Sequence, residues 1–230
     1  MGLFSPDRLY VYFARLIVLF TSMPIHEYAH GWVADKLGDH TARYNGRLDL
    51  NPIAHLDPLG TILIMFTGFG WAKPVPVNPR YFNRKISMRG GMALTSLAGP
   101  AANVLMAAIL LLIYKILALV MMVMGVSMGN TVAIITTILS MMVTINVSLA
   151  VFNLLPIPPL DGYHILAYFI PARWEYKNSQ YSHYIFLGLF AVMMFTNILS
   201  VPLHFLASFI YRFLDFSTGF VDILARMLMR

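Results

Sequence analysis

Long apolar stretches constrain this chain more than any motif does. Those at about residues 87–123 and 131–155 each exceed the twenty or so residues that cross a hydrocarbon core. Lipid offers no hydrogen bonds, so a segment inside it must satisfy its own backbone, and a helix is the available solution. The opening segment reads as a further helix from about Pro6 to Leu37, started by Ser5-Pro6-Asp7 and stopped at Gly38. Apolar stretches at about 184–199 and 203–214 complete the set. Charged residues make up 11% of the 230 residues, against about 25% in a soluble domain. The expectation is an all-α polytopic membrane protein with a bundle of about four to six transmembrane helices. One membrane-embedded domain covers 1–230, with a core at about 8–170 and carboxy-terminal helices at about 180–230.

Net charge is +6, but its placement argues against nucleic acid as a partner. Arg80, Arg84, Lys85 and Arg89, then Arg173 and Lys177, cluster at the ends of apolar segments, as cytoplasmic loops do. That puts the amino terminus outside and these loops inside. The chain has no cysteine, which excludes disulfides, thiolate ligands and a cysteine nucleophile. The first apolar stretch lacks a small-residue cleavage site at its end, so it does not read as a signal peptide.

Between the first two long helices the chain changes character. Residues 39–57 are polar and turn-rich, with a tight turn at Asn45-Gly46 and strand-like alternation from Arg47 to Leu50. Pro58 to Phe66 is apolar but too short to span, which suggests a re-entrant helix. Gly68, Gly70 and Lys73-Pro74-Val75-Pro76-Val77 then break helicity, and alternating prolines suit only an edge strand. A small membrane-dipping β segment or re-entrant loop is expected there. The tail from Phe220 to Arg230 has helical spacing suited to a membrane surface.

Ionisable groups inside apolar sequence are expensive and default to a functional reading. His26-Glu27-Tyr28-Ala29-His30 is an H-E-x-x-H pattern on the opening helix. Residues four apart share a helix face, so both imidazoles can grip one ion. Glu27 lies about 100° round the helix, near enough to deprotonate water activated by zinc. Catalytic zinc takes three protein ligands, and Asp161, between Leu160 and Gly162 after a proline-broken helix end, is the candidate third. Aspartate is also a good helix N-cap, and spacing alone leaves those two roles level.

These residues resemble the site-2 protease family of intramembrane zinc metalloproteases. The run Asn153-Leu154-Leu155-Pro156-Ile157-Pro158-Pro159-Leu160-Asp161-Gly162 matches the family's N-x-x-P-x-P-x-x-D-G motif. Ser96-Leu97-Ala98-Gly99-Pro100-Ala101-Ala102-Asn103 is similar to its small-residue core helix. The resemblance covers about 8–170, is nearest the compact prokaryotic branch without a PDZ domain, and implies the cytoplasmic membrane. It implies one Zn2+ per chain held by His26, His30 and Asp161, with Glu27 as general base. It also implies that Asn153 orients the scissile peptide or steadies the oxyanion; a helix-end cap is its plainer role.

The expected activity is hydrolysis of peptide bonds within or near transmembrane segments of membrane proteins. The substrate must unwind to be cut, and an edge strand at Val75 and Val77 could receive it. Asn103 could bond a substrate strand or link helices. His55 and Asp57 could line the site, though surface-loop positions suit them better. His164, one turn past Asp161, is a candidate for the second shell. The rivals are a zinc hydrolase of a lipid amide, a non-catalytic metal carrier or scaffold, and a dihistidine haem protein.

Overall fold

The computed structural model describes residues 6–67, 70–125, 129–171 and 180–229. Ser5, Gly68 and the basic loop with Arg173 and Lys177 lie outside the described residues. Among the described residues all regular structure is helical.

The opening helix is two helices, α1 (Pro6–Phe20) and α2 (Ser22–Lys36), divided at Thr21. Pro24 has no amide for the Phe20 carbonyl, and its ring crowds that carbonyl. The Thr21 hydroxyl also donates back to Ile17 C=O at 2.7 Å, a bond that loosens helices locally. Gly38 ends α2 as expected. Its φ of +105° lets the Asp39 amide reach back to Ala34 C=O at 2.9 Å and its own amide to Asp35 C=O at 3.1 Å, the double bond of a Schellman closure.

Three short helices follow: α3 (Thr41–Tyr44), α4 (Pro52–His55) and α5 (Pro58–Thr67). Asn51 and Asp57 cap the last two, accepting from Ile53 N–H at 3.1 Å and Gly60 N–H at 2.8 Å. In each case proline fills the next position, where no amide is needed. Arg15 of α1 donates to Met65 C=O at 2.6 Å, fastening α5 to the first helix. Residues 71–78 then run as an irregular strap. Neither Arg47–Leu50 nor Val75–Val77 is paired in a sheet. Pro74 and Pro76 remove alternate ladder donors, and the Val75 amide is used elsewhere.

The long helices are α6 (Met88–Val123) and α7 (Asn130–Asn153). Ser87 caps α6, its hydroxyl accepting from Gly90 N–H at 3.1 Å. At 36 residues, α6 is about 54 Å long, well beyond a hydrocarbon core of about 30 Å. Arg8–Lys36, Met88–Val123 and Asn130–Asn153 are each long and apolar enough to cross a membrane; the chain is an integral membrane protein. Leu105, Ile109, Ile113 and Val120 project exposed from one side of α6, an apolar face suited to lipid. Asn103, Ala107 and Leu110 on the other side are buried.

After a proline-rich loop come α8 (Asp161–Phe169), α9 (Ser182–Phe195) and α10 (Ser200–Leu228). The expected stretch at 203–214 thus continues as one helix through the tail. Its buried face, at Leu214, Thr218 and Val221, keeps helical spacing across Gly219. The main core joins Ala14 and Val18 of α1 to Ala107 of α6, Val143 and Val147 of α7, and Leu214 of α10. Lys115 of α6 meets Asp215 at 2.8 Å and Asp222 at 2.6 Å on α10. A second cluster, Leu155, Leu160 and Leu189, anchors the proline-rich loop against α9.

Candidate metal centre

His26 and His30 stand one turn apart on α2, and both side chains are nearly buried. Their Nε2 atoms are 3.0 Å apart, and each lies 3.4 Å from Asp161 Oδ2. Asp161 is the first residue of α8 and caps nothing; the N-cap position belongs to Leu160. Gly162 makes that placement feasible. A Cβ there would fall 2.1 Å from Leu154 O and 2.5 Å from Leu155 O, so any larger residue would push the turn away.

The imidazole pair also depends on α6. A Cβ on Gly99 would meet His30 Nε2 at 2.3 Å and His26 Cε1 at 2.6 Å. One turn earlier, the Thr95 carbonyl lies 2.7 Å from His30 Nδ1. A carbonyl can only accept, so Nδ1 carries the proton and Nε2 keeps its lone pair toward Asp161. The small residues around Gly99 marked this helix in the sequence, but nothing there singled out Thr95, whose contribution comes from backbone.

A half-buried carboxylate facing two imidazoles calls for a cation. Bonds of about 2.0–2.2 Å to a tetrahedral zinc place its donors about 3.4 Å apart. The two imidazole-to-carboxylate distances agree with that, and the imidazole pair is slightly closer. Among the described residues this is the one group of three or more such side chains close enough to hold an ion.

Glu27 is buried beside the pair, and its Oε2 accepts the Val75 amide at 3.0 Å. Val75 is buried and Val77 half-buried. Asn153 ends α7, and its amide donates to Leu149 C=O at 3.0 Å, within its own helix. Asn103 is almost fully buried, one turn past Gly99, and its Oδ1 has no partner among the described residues. His55 is fully buried, not a surface-loop residue; its Nε2 lies 2.7 Å from the Asp49 carbonyl. Asp57 caps α5, and His164 faces a small cavity beside Arg89 and Ala167.

Residues 14–196 match the profile of peptidase family M50. The protein named "Putative zinc metalloprotease YwhC" from Bacillus subtilis (strain 168) is 44% identical over 179 residues, covering 76% of this chain and 78% of its own. "Putative zinc metalloprotease Rip2" from Mycolicibacterium smegmatis is 27% identical over 201 residues, covering 85% of this chain and 71% of its own. No solved structure is a significant match.

Proposed function

We propose, for a chain that belongs to peptidase family M50, a site-2 protease-like enzyme that cuts peptide bonds within or near transmembrane segments of other membrane proteins. Its metal is zinc, with His26, His30 and Asp161 as the ligands. The observation that carries this reading is the convergence of two Nε2 atoms and one carboxylate oxygen within 3.0–3.4 Å. The family leaves the lipid-amide, scaffold and haem readings without support.

When bound, zinc polarises the scissile carbonyl and makes water acidic enough to attack near neutral pH. Thr95 and Gly99 keep the imidazole pair aimed and close. Glu27 takes the proton from the attacking water and passes it to the departing amine as the C–N bond breaks. The Val75 amide holds Oε2 of that carboxylate, leaving Oε1 for the proton. Asn153 serves the developing oxyanion or the scissile peptide once its amide turns away from Leu149. A substrate segment, unwound at the cut, pairs with the strap at Val75 and Val77. Strap and α5 together form a re-entrant feature, since irregular backbone at membrane depth is tolerated only where protein or a wet cavity covers it.

The basic loops face the cytoplasm and the amino terminus lies outside, in a multi-pass protein of a prokaryotic cytoplasmic membrane. The test is metal analysis of wild type beside Asp161→Ala, with cleavage of a helical transmembrane peptide and of a lipid amide assayed in parallel. Zinc in the wild type, its loss in the variant and cleavage of the peptide alone are expected. Full zinc in Asp161→Ala overturns the ligand set, and hydrolysis of the lipid amide overturns the substrate class.

A further inference from the structure

The strap is fastened by groups from four places. Lys73 N–H donates to His55 C=O at 2.9 Å. Arg47 Nη2 donates to Lys73 C=O at 2.8 Å and Pro74 C=O at 3.3 Å. Val75 N–H donates to Glu27, and Asn78 N–H donates to Asp39 Oδ2 at 2.6 Å. Asp39 is fully buried. Its other oxygen, Oδ1, accepts the Thr41 amide at 3.0 Å and the Thr41 hydroxyl.

Asp39 is bound rigidly to the helix that carries Glu27. It is the residue after Gly38 in the Schellman closure, and its own amide is tied into the last turn of α2. One rigid unit therefore presents two carboxylates to the strap, Glu27 at Val75 and Asp39 at Asn78. Only Pro76 and Val77 lie between, and the proline ring fixes one of the intervening dihedrals. A shift at Asn78 is thus passed to Val75 rather than absorbed.

We propose that Asp39 is a positioning residue for Glu27: by holding Asn78 it sets where the Val75 amide meets the carboxylate, and so aims the base. This rests on Glu27 being the base, and the experiment separates the two. The chain contains no cysteine, so an introduced pair is unambiguous. A Cβ at Gly31 lies 3.1 Å from Val75 Cγ1, within disulfide reach. The double variant Gly31→Cys/Val75→Cys therefore reports strap register without any assay of activity.

With Asp39 intact the pair oxidises readily. Adding Asp39→Ala slows oxidation several-fold, whereas Asp39→Asn, which can turn its one amide oxygen to the Asn78 amide at the expense of the Thr41 amide bond, largely preserves it. In the cysteine-free enzyme Asp39→Ala lowers kcat about ten-fold or more, since a base displaced by about 1 Å costs up to about 100-fold. Zinc content stays unchanged, any rise in KM is smaller than the fall in kcat because the same strap receives the substrate, and Asp39→Asn restores most of the rate. Should Asp39→Ala fail to fold, Asp39→Ser keeps a hydroxyl too short to reach Asn78 and is expected to act as Asp39→Ala does. Unchanged oxidation or unchanged kcat in the folded variant overturns the proposal, as does a rise in KM alone. An active Glu27→Gln enzyme overturns the base and leaves the oxidation result standing.

Discussion

Gly99 lies so close to His30 that a Cβ there would stand 2.3 Å from the ring's Nε2. That atom is a proposed ligand, so Gly99→Ala is expected to displace it and weaken zinc binding at least about ten-fold, the lower end of what disturbing a ligand's surroundings costs. Elemental analysis of the purified variant checks this. Zinc retained at wild-type level would place the imidazole pair elsewhere.

Glu27 is the proposed base and not a proposed ligand. Glu27→Gln keeps an oxygen to accept the Val75 amide, so strap and zinc remain in place. The base is lost, and cleavage falls by about 100- to 10,000-fold. A paired zinc assay and peptide-cleavage assay read the two effects separately.

Gly162→Ala strikes the same centre from the other side. The new methyl has no room against Leu154 and Leu155 backbone oxygens, and overpacking of this kind costs about 1–3 kcal/mol. A lowered melting temperature in detergent, with zinc lost, is the expected pair of results. A normal melt with full zinc would show that the turn can yield.

Val75 packs on Gly31, within a van der Waals contact of where a side chain would begin. Val75→Phe is therefore expected to lift the strap and reduce cleavage while zinc stays bound. Unchanged kinetics would remove the strap from substrate handling.

Lys115 is the test of how α10 is held. Its ammonium is shielded and meets both Asp215 and Asp222. Lys115→Met leaves those carboxylates without their cation, whereas Asp222→Asn leaves the Asp215 pair intact. Melting temperatures should fall in the order wild type, Asp222→Asn, Lys115→Met. The reverse order would make the cluster incidental.

Much of this was legible in the residues because it rests on local chemistry. Gly38 marks a helix end through φ alone, and His26 with His30 declare a shared face by spacing, whereas the caps at Asn51 and Asp57 passed unread inside a turn-rich stretch. The short apolar length of α5 was equally plain. What sequence did not disclose depends on partners far along the chain. The break at Thr21 is a contest between a proline and a long apolar period, and only the fold decides it. His55 looks like a loop residue until Asp49 and Lys73 close round it. Asp39 reads as an ordinary polar residue after a glycine, since nothing local says that its carboxylate will meet Asn78. The strap carried the alternation of a strand, but its free amide went to Glu27.

The third donor sits more than half a chain length beyond the imidazole pair, on the far side of both long helices. A ribosome that has delivered α1 through α7 has therefore made every group needed except Asp161. On the proposed ligand set, the nascent protein holds two imidazoles with no carboxylate to complete them until α8 emerges and seats itself. The order of synthesis thus decides when the proposed centre becomes complete.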